Sequence, residues 1–347
     1  MNLENEYLKT ALQLHRNNPV VDAHLDLPGE ILYRVLSGEK DIIRNYYLGN
    51  WKRCGLNLIV VSVFLEDSVL PEMGLRNALD QIAVLKEEIA RNDEIVLVKS
   101  RQDLKNVLAE NKIGFLLYAE GLDFIGADKR LMDIFYELGV RGAALTWSRN
   151  NLFATGCCRA SERVQRYGGL TYMGMEMVEY LENKGIFIDV SHLNDDGFRE
   201  MSILAKKPFI ATHSACREVF FNYRNLTDEQ MVKLARQGGI LGINGHKLVA
   251  GVKEEDNPIL KICEHIFHAI KIMGVSHVGY GFDFCDSYNC AMDHKKEIED
   301  ANDCLGNHSG VPLLTATLLS RGMPEDVAVK VIGGNFVDYF MRNLPKD

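Results

Sequence analysis

The sequence predicts an α/β fold, a (β/α)₈ barrel with additional helices at its carboxyl end. Short apolar runs recur along the chain, each followed by a loop and a longer stretch of helical periodicity. Eight such runs cover about 260 residues, the extent of a (β/α)₈ unit. The main competitor is an open doubly wound sheet. No GxGxxG or GxxxxGK(S/T) follows any of the runs, which counts against it.

The runs are Val20–Asp26, Asn57–Leu65, Ile113–Glu120, Arg141–Ser148, Ile186–His192, Pro208–Ser214, Gly239–Asn244 and Ser276–Phe284. Each is bounded by Gly, Pro, Asn or Asp and is mostly aliphatic or β-branched. Near-continuous apolarity of this length suits parallel strands buried on both faces. Between them lie helix-period segments: Gly74–Arg91, Lys129–Leu138, Met173–Lys184, Asp195–Ala205, Asp228–Gln237 and Pro258–Met273. Thr227 with Gln230 three residues on reads as a capping box opening one of these helices. Glu94–Lys99 is one strand more than the alternation needs, and is expected to be an insertion before the third barrel strand. The tail after Gly310 reads as helical and is expected to pack outside the barrel. We expect one domain over residues 1–347, with its barrel core at about 20–310 and its carboxyl-terminal helices at about 311–347.

Composition excludes several classes of function. Of 347 residues, 47% are hydrophobic and 25% charged, which is ordinary for a globular chain. The 39 Lys and Arg are outnumbered by 48 Asp and Glu, a net charge of −9. Nucleic acid and anionic membrane reward basic patches, so neither is expected as a partner. No apolar run reaches the ~18–20 residues that span a bilayer. The first residues lack the basic, apolar and small-residue regions of a signal peptide. The eight cysteines include no CxxC pair, and we read them as reduced thiols in a cytoplasmic protein.

Chemistry-bearing residues gather at the ends of the predicted strands. His24 and Asp26 end the first, Glu120 the third, His192 the fifth, His213 the sixth, and Asp283 closes the eighth. A barrel brings these ends together at one face. His24 and Asp26 are two apart, so one strand can present both to the interior. Imidazole with carboxylate and no thiolate suits Zn²⁺, with Mn²⁺, Co²⁺ or Fe²⁺ as alternatives. Five ligands exceed what one catalytic zinc takes, but suit two ions if a carboxylate bridges. Glu120 lies between the other ligand strands and is the natural bridge. Two ions ~3.5–4 Å apart can share a hydroxide and clamp a tetrahedral intermediate.

The remaining histidines are expected to be structural: His15, His246, His294 and His308 in loops or the leading helix, His277 at a strand start, and His265 and His268 on one helix. His246 is the least settled of these, since it follows a strand at the active face. Cys285 and Cys290 are expected to be bystanders. Arg224, in FFNYRN before the capping box, offers a planar fork suited to a carboxylate, against the plainer reading of a surface arginine.

Several segments resemble the membrane dipeptidase (renal dipeptidase) family of metal-dependent amidohydrolases. They are VVDAHLDLP at 20–28, AEG at 119–121, LTWSRN at 145–150, IDVSHLND at 188–195 and THSACREV at 212–219, followed by YRNLTDEQ at 223–230, HVGYGFDF at 277–284 and IGGNF at 332–336. They follow the family order over essentially the whole chain. The resemblance implies a (β/α)₈ barrel, a binuclear zinc site and hydrolysis of dipeptides with free termini, including those with a D-residue at the carboxyl end. One zinc would take His24, Asp26 and Glu120, the other Glu120, His192 and His213. Arg224 would hold the substrate's terminal carboxylate. Asp283 would hold its amino group or shuttle the proton. The resemblance also implies a homodimer.

Three segments depart from the family pattern. Trp147 stands where mammalian members carry a histidine that helps hold substrate or oxyanion; bacterial relatives resemble this LTW form. NGHKL (244–248) replaces an aromatic-rich stretch, and the last motif reads DFCD. These departures leave room for an amidohydrolase of another class, acting on an N-acyl amino acid, a lactone or a deaminase substrate. They also leave room for a barrel that binds without turnover.

Overall fold

The computed structural model describes residues 3–295 and 301–346. Its strands are β1 (Val20–Leu25), β2 (Leu56–Val63), β3 (Ile95–Leu97), β4 (Ile113–Glu120), β5 (Val140–Ala144), β6 (Phe187–Asp189), β7 (Ala211–Ser214), β8 (Leu241–Ile243) and β9 (Val278–Tyr280). All the strand pairings are parallel. One sheet runs β1-β2-β4-β5-β6, and another runs β7-β8-β9.

Backbone hydrogen bonds just beyond the strand ends join the two sheets into a ring. On one side Val190 N donates to Ile210 O (2.9 Å) and Ile210 N to Ile188 O (3.0 Å). On the other, Asp283 N donates to His24 O (3.3 Å). The Asp22 carboxylate reinforces this second seam by accepting from Phe282 N (2.9 Å). It also accepts from His308 Nε2 (2.9 Å), whose Nδ1 accepts from Trp51 Nε1 (3.2 Å). Asp22 and His308 are both buried, so His308 is structural as expected.

The extra strand forms as expected. β3 pairs with the first residues of β4 (Ile95↔Ile113 to Leu97↔Phe115), while β5 pairs with its last (Leu117↔Val140 to Glu120↔Ala144). Because β2 occupies the whole other edge of β4, β3 and β5 share one edge end to end.

Several strands are shorter than the apolar runs that announce them. The run 186–192 yields the three-residue strand β6, and 276–284 yields β9. The residues past each strand end leave the ladder to form loops at the carboxyl face, and these carry His192 and Asp283. The return helices begin where local chemistry dictates. Thr227 and Gln230 form the capping box on Asp228–Arg236, and the Asn194 side chain accepts from Gly197 N (2.9 Å) at the start of Asp195–Leu204.

Two apolar clusters form the core. The larger lies between the strands and the helices outside them. The smaller contains Leu58, Val60, Leu116 and Tyr118, which share the inward face of their strands with Ser62 and Glu120. Phe336, Tyr339 and Phe340 of the last helix, Asn335–Asn343, belong to this inner cluster. The tail is therefore outside the ring of strands, but it closes the end of the barrel opposite the site.

Candidate active site

Glu120 is the last residue of β4 and is 2% exposed. Its Oε1 lies 2.8 Å from His192 Nε2 and 3.1 Å from His213 Nε2; its Oε2 lies 3.5 Å from His24 Nε2. One carboxylate thus faces three imidazoles, from β1, β7 and the loop after β6. His24 Nε2 is also 3.5 Å from Asp26 Oδ1 and 3.8 Å from Asp283 Oδ1. The His24 and His213 rings stack at 3.6 Å between centroids. All five residues expected to bind metal come together, with Asp283 beside them.

Backbone geometry supports this convergence. Gly121 turns the chain immediately after Glu120 at φ +85°, and a Cβ there would lie 3.0 Å from Trp147 N. Asp283 itself adopts φ 57°, an uncommon left-handed conformation for a non-glycine residue. Its Oδ2 accepts from Asn244 Nδ2 (2.9 Å), which leaves Oδ1 toward His24.

The cluster polarises its members in opposite directions. Burial pushes the Glu120 carboxyl up to about 7 and that of Asp283 up to about 6, with the neighbouring Asp26 adding to both. Burial opposes charge on His24, but Glu120 and Asp26 outweigh it and hold this imidazole well above its ordinary range. Burial drives His192 and His213 well below theirs, helped by Arg224 and His24. Two neutral imidazoles therefore aim lone pairs at a point ringed by carboxylates that demand positive charge.

A divalent cation fits these residues. His24 Nδ1 and Nε2 and Asp26 Oδ1 are buried without a hydrogen-bond partner, although buried polar atoms are almost always paired. His24, Glu120 and His213 form one group able to hold an ion, and His24, Asp26 and Asp283 another. Both groups share His24.

Arg224 is 3% exposed, which removes the reading of a surface arginine. Nη1 donates to Ser214 Oγ (3.0 Å) and to Ser191 O; Nη2 donates to His213 O (3.0 Å) and His192 Nε2 (2.9 Å). Its edge nevertheless reaches a cavity of about 320 Å³, lined also by Asp26, Glu120, His192 and Asp283. Trp147 forms part of the wall, with its ring 5.1 Å from that of Phe64 and 5.8 Å from that of His192.

Sequence reasoning missed several cavity residues. Glu66, which accepts from Tyr288 OH (3.0 Å), and Arg159 both face the cavity from loops with no motif to mark them. His246, left unsettled, also lines it. Ser62, which donates to Glu120 Oε2 (3.2 Å), could have been found as the polar residue one before the end of β2, on its inward face. Cys285 reaches the cavity, but burial and nearby carboxylates hold its thiol far above the usual range, as suits a bystander.

Comparison with known proteins identifies the family. Residues 8–342 match the membrane dipeptidase family, Peptidase family M19. A Klebsiella pneumoniae protein named as the uncharacterized protein in the pqqA 5′ region is 30% identical over 262 residues, 74% of this chain and 92% of the relative. Mouse dipeptidase 3 is 29% identical over 347 residues; the alignment spans 96% of this chain but 66% of the mouse protein. A crystal structure of a metallopeptidase from Rhodobacter sphaeroides, liganded with a phosphinate mimic of L-Ala-D-Ala, superposes with a TM-score of 0.81 at 23% identity. The superposition covers 94% of this chain and 99% of that one. The chain therefore belongs to the membrane dipeptidase family, Peptidase family M19.

Proposed function

We propose that the protein is a metal-dependent dipeptidase that hydrolyses dipeptides with free termini, using two zinc ions per chain. The observation that carries this reading is the convergence of three imidazoles on Glu120, with Asp26 and Asp283 beside them. His24, Asp26 and Glu120 would hold one ion, and Glu120, His192 and His213 the other. When bound, the ions would supply Lewis acidity at the amide carbonyl and a nucleophile at neutral pH.

The other steps belong to the chain's own side chains. Asp283 takes on Oδ1 the proton released as water adds to the carbonyl, and returns it to the leaving nitrogen. Arg224 has five N–H groups, four of them engaged with the protein. Its remaining Nε–H, with the Nη2–H on His192, forms the edge that would read the substrate carboxylate. Trp147 presents an apolar wall beside Phe64, and an N-acyl amino acid, a lactone or a deaminase substrate is the second class to test.

All eight cysteines are free thiols, which supports the reading of a reducing, cytoplasmic compartment. Among the described residues, no helix is long and apolar enough to cross a membrane. The homodimer rests on the family resemblance and is checked by sedimentation.

The decisive experiment combines metal analysis with a substrate panel. We expect about two zinc ions per chain and turnover of free dipeptides. The panel includes D-residues at the carboxyl end, as in the mimic bound by the Rhodobacter peptidase, beside N-acyl amino acids. Zero metal after reconstitution would sink the site. Turnover of acyl amino acids alone would replace the dipeptide reading.

A further inference from the structure

Behind the imidazoles of His192 and His213, the faces turned away from Glu120 are not left to chance. His213 Nδ1 is 2.7 Å from Thr212 Oγ1, and Thr212 Oγ1 is 2.6 Å from Asp189 Oδ2. Asp189 is 1% exposed and, as a carboxylate, can only accept. Its Oδ1 takes Ser191 N (2.9 Å), Ser191 Oγ (2.6 Å) and Thr212 N (3.0 Å); its Oδ2 takes Tyr118 OH (2.7 Å) and Thr212 Oγ1.

The proton positions follow from this inventory. Thr212 has one hydroxyl hydrogen, and it goes to Asp189. The Thr212 oxygen can then only accept from His213, so the imidazole proton sits on Nδ1 and the lone pair on Nε2. His192 repeats the pattern with a different partner. Arg224 Nη2 can only donate, so its contact with His192 Nε2 (2.9 Å) calls for a lone pair there; that lone pair also faces His213 Nε2 (2.9 Å) and Glu120 Oε1 (2.8 Å), an electron-rich meeting that a cation at this point would reconcile. The His192 proton is therefore on Nδ1 and donates to Ser148 Oγ (2.9 Å). His24 differs: neither of its ring nitrogens has a hydrogen-bond partner, and the ring is held by its stack on His213 and by the edge of Tyr118.

We propose that Thr212, anchored by Asp189, and Ser148 are positioning residues that hold His213 and His192 in the ligating tautomer, so that the ion on this pair is bound more tightly than the ion on His24 and Asp26. The proposal rests on the two-metal reading above. Its physical basis is that a histidine fixed by its distal nitrogen loses less freedom on binding a metal and is a more basic ligand. Neither residue touches the metal point, so neither is catalytic. The same hydrogen bonds explain why IDVSH and THS matter as units: Asp189 and Ser191 of one strand end grip Thr212 of the next, and His213 is aimed as a result.

The test is zinc retention by the full-length protein against a graded series of a chelating competitor. Wild type should lose its two zinc ions in two separate steps. Thr212→Val keeps the side-chain shape but removes the hydroxyl, and should weaken retention of the tighter ion by about 10–100-fold while the weaker step stays in place. Thr212→Ser should retain it within about threefold of wild type. The thermal midpoint of the zinc-free protein gives a readout of folding alone: Thr212→Ser should match wild type, while Thr212→Val should be lower, because Asp189 and His213 Nδ1 each lose a buried partner, and its zinc retention is compared at a temperature where it stays folded. If Thr212→Val fails to fold, Ser148→Ala probes the other imidazole, and the same selective weakening is expected.

Wild-type retention in a folded Thr212→Val or Ser148→Ala, equal weakening of both ions, or a Thr212→Ser that behaves like Thr212→Val would each overturn the proposal. Wild type that binds no zinc at all would instead reject the metal reading on which it stands.

Discussion

At the scale of single residues, Asp283 and Arg224 carry the sharpest expectations. Asp283 has one carboxylate oxygen tied to Asn244 and the other free toward His24, with its backbone held in a left-handed conformation. Asp283→Asn should lower kcat by about 10²–10⁴ with zinc content unchanged, since a single acid/base group contributes on that order; near-normal turnover would remove it from the proton path. Arg224→Ala should lose about 1.5–3 kcal/mol in kcat/KM, the range of a hydrogen bond to a charged group. Comparing a dipeptide with its carboxyl-amidated form separates two roles. A loss confined to the free acid supports carboxylate recognition. An equal loss on both assigns Arg224 to holding His192 and the backbone of Ser191 and His213.

Site residues were legible in the sequence where a short motif and a strand end coincide. His24, Asp26, Glu120, His192, His213 and Asp283 all obey that rule. Trp147 was legible as a departure from the family pattern, but not as a wall packed on Phe64. Glu66, Arg159 and Tyr288 obey no such rule. They enter the cavity from loops and a short helix whose path depends on what they pack against.

At the scale of elements, the leading helix Leu3–Asn17 is joined to the rest of the fold by His15. This imidazole is 2% exposed; its Nδ1 donates to Cys54 O (2.7 Å), and its Nε2 lies 2.8 Å from Thr315 Oγ1 in the helix Val311–Ser320. Burial pushes its proton affinity down from 6.5 to about 4. The unfolded chain therefore binds a proton here that the folded chain refuses. The stabilisation is complete above pH 6.5 and is lost as pH falls toward about 4. The loss amounts to about 2–3 kcal/mol from His15 alone. Denaturant unfolding at pH 7.5 and 4.5 should show it, and His15→Gln should be the less acid-sensitive protein of the two. Identical acid sensitivity would mean that His15 is not refusing a proton. His265 is buried in the same way, with its proton affinity also lowered to about 4, and adds to the wild-type slope in both proteins.

At the scale of the whole molecule, the last helix plugs the end of the barrel opposite the candidate active site. Phe340 is fully buried and lies 5.4 Å from the ring of Phe187 and 5.9 Å from that of Phe336. Phe340→Ala should cost about 3–5 kcal/mol of stability by leaving a cavity in a closed cluster. Zinc content and KM should be unchanged at temperatures where the protein remains folded, because the ligands sit at the other end of the strands. Loss of metal at unchanged stability would show that the plug and the site are coupled.

The sequence by itself determined the strand-and-helix alternation, the extra strand before the third barrel strand, the capping box at Thr227 and the residues that converge on Glu120. Each of these is written in local pattern: apolar runs, spacing of two, or a polar residue where a run stops. Only the tertiary structure decided how the ring closes, through Asp22, His308 and Trp51, and what the tail does at the barrel's end. It alone placed Arg224 in the interior and chose the hydrogen-bond partners behind His192 and His213. The physical reason is that these outcomes depend on pairs far apart in the chain. Asp22 meets His308 across 286 residues, and Asp189 meets Thr212 across 23. Periodicity reports which face a residue takes, but which partner waits on that face is settled only when the strands are side by side.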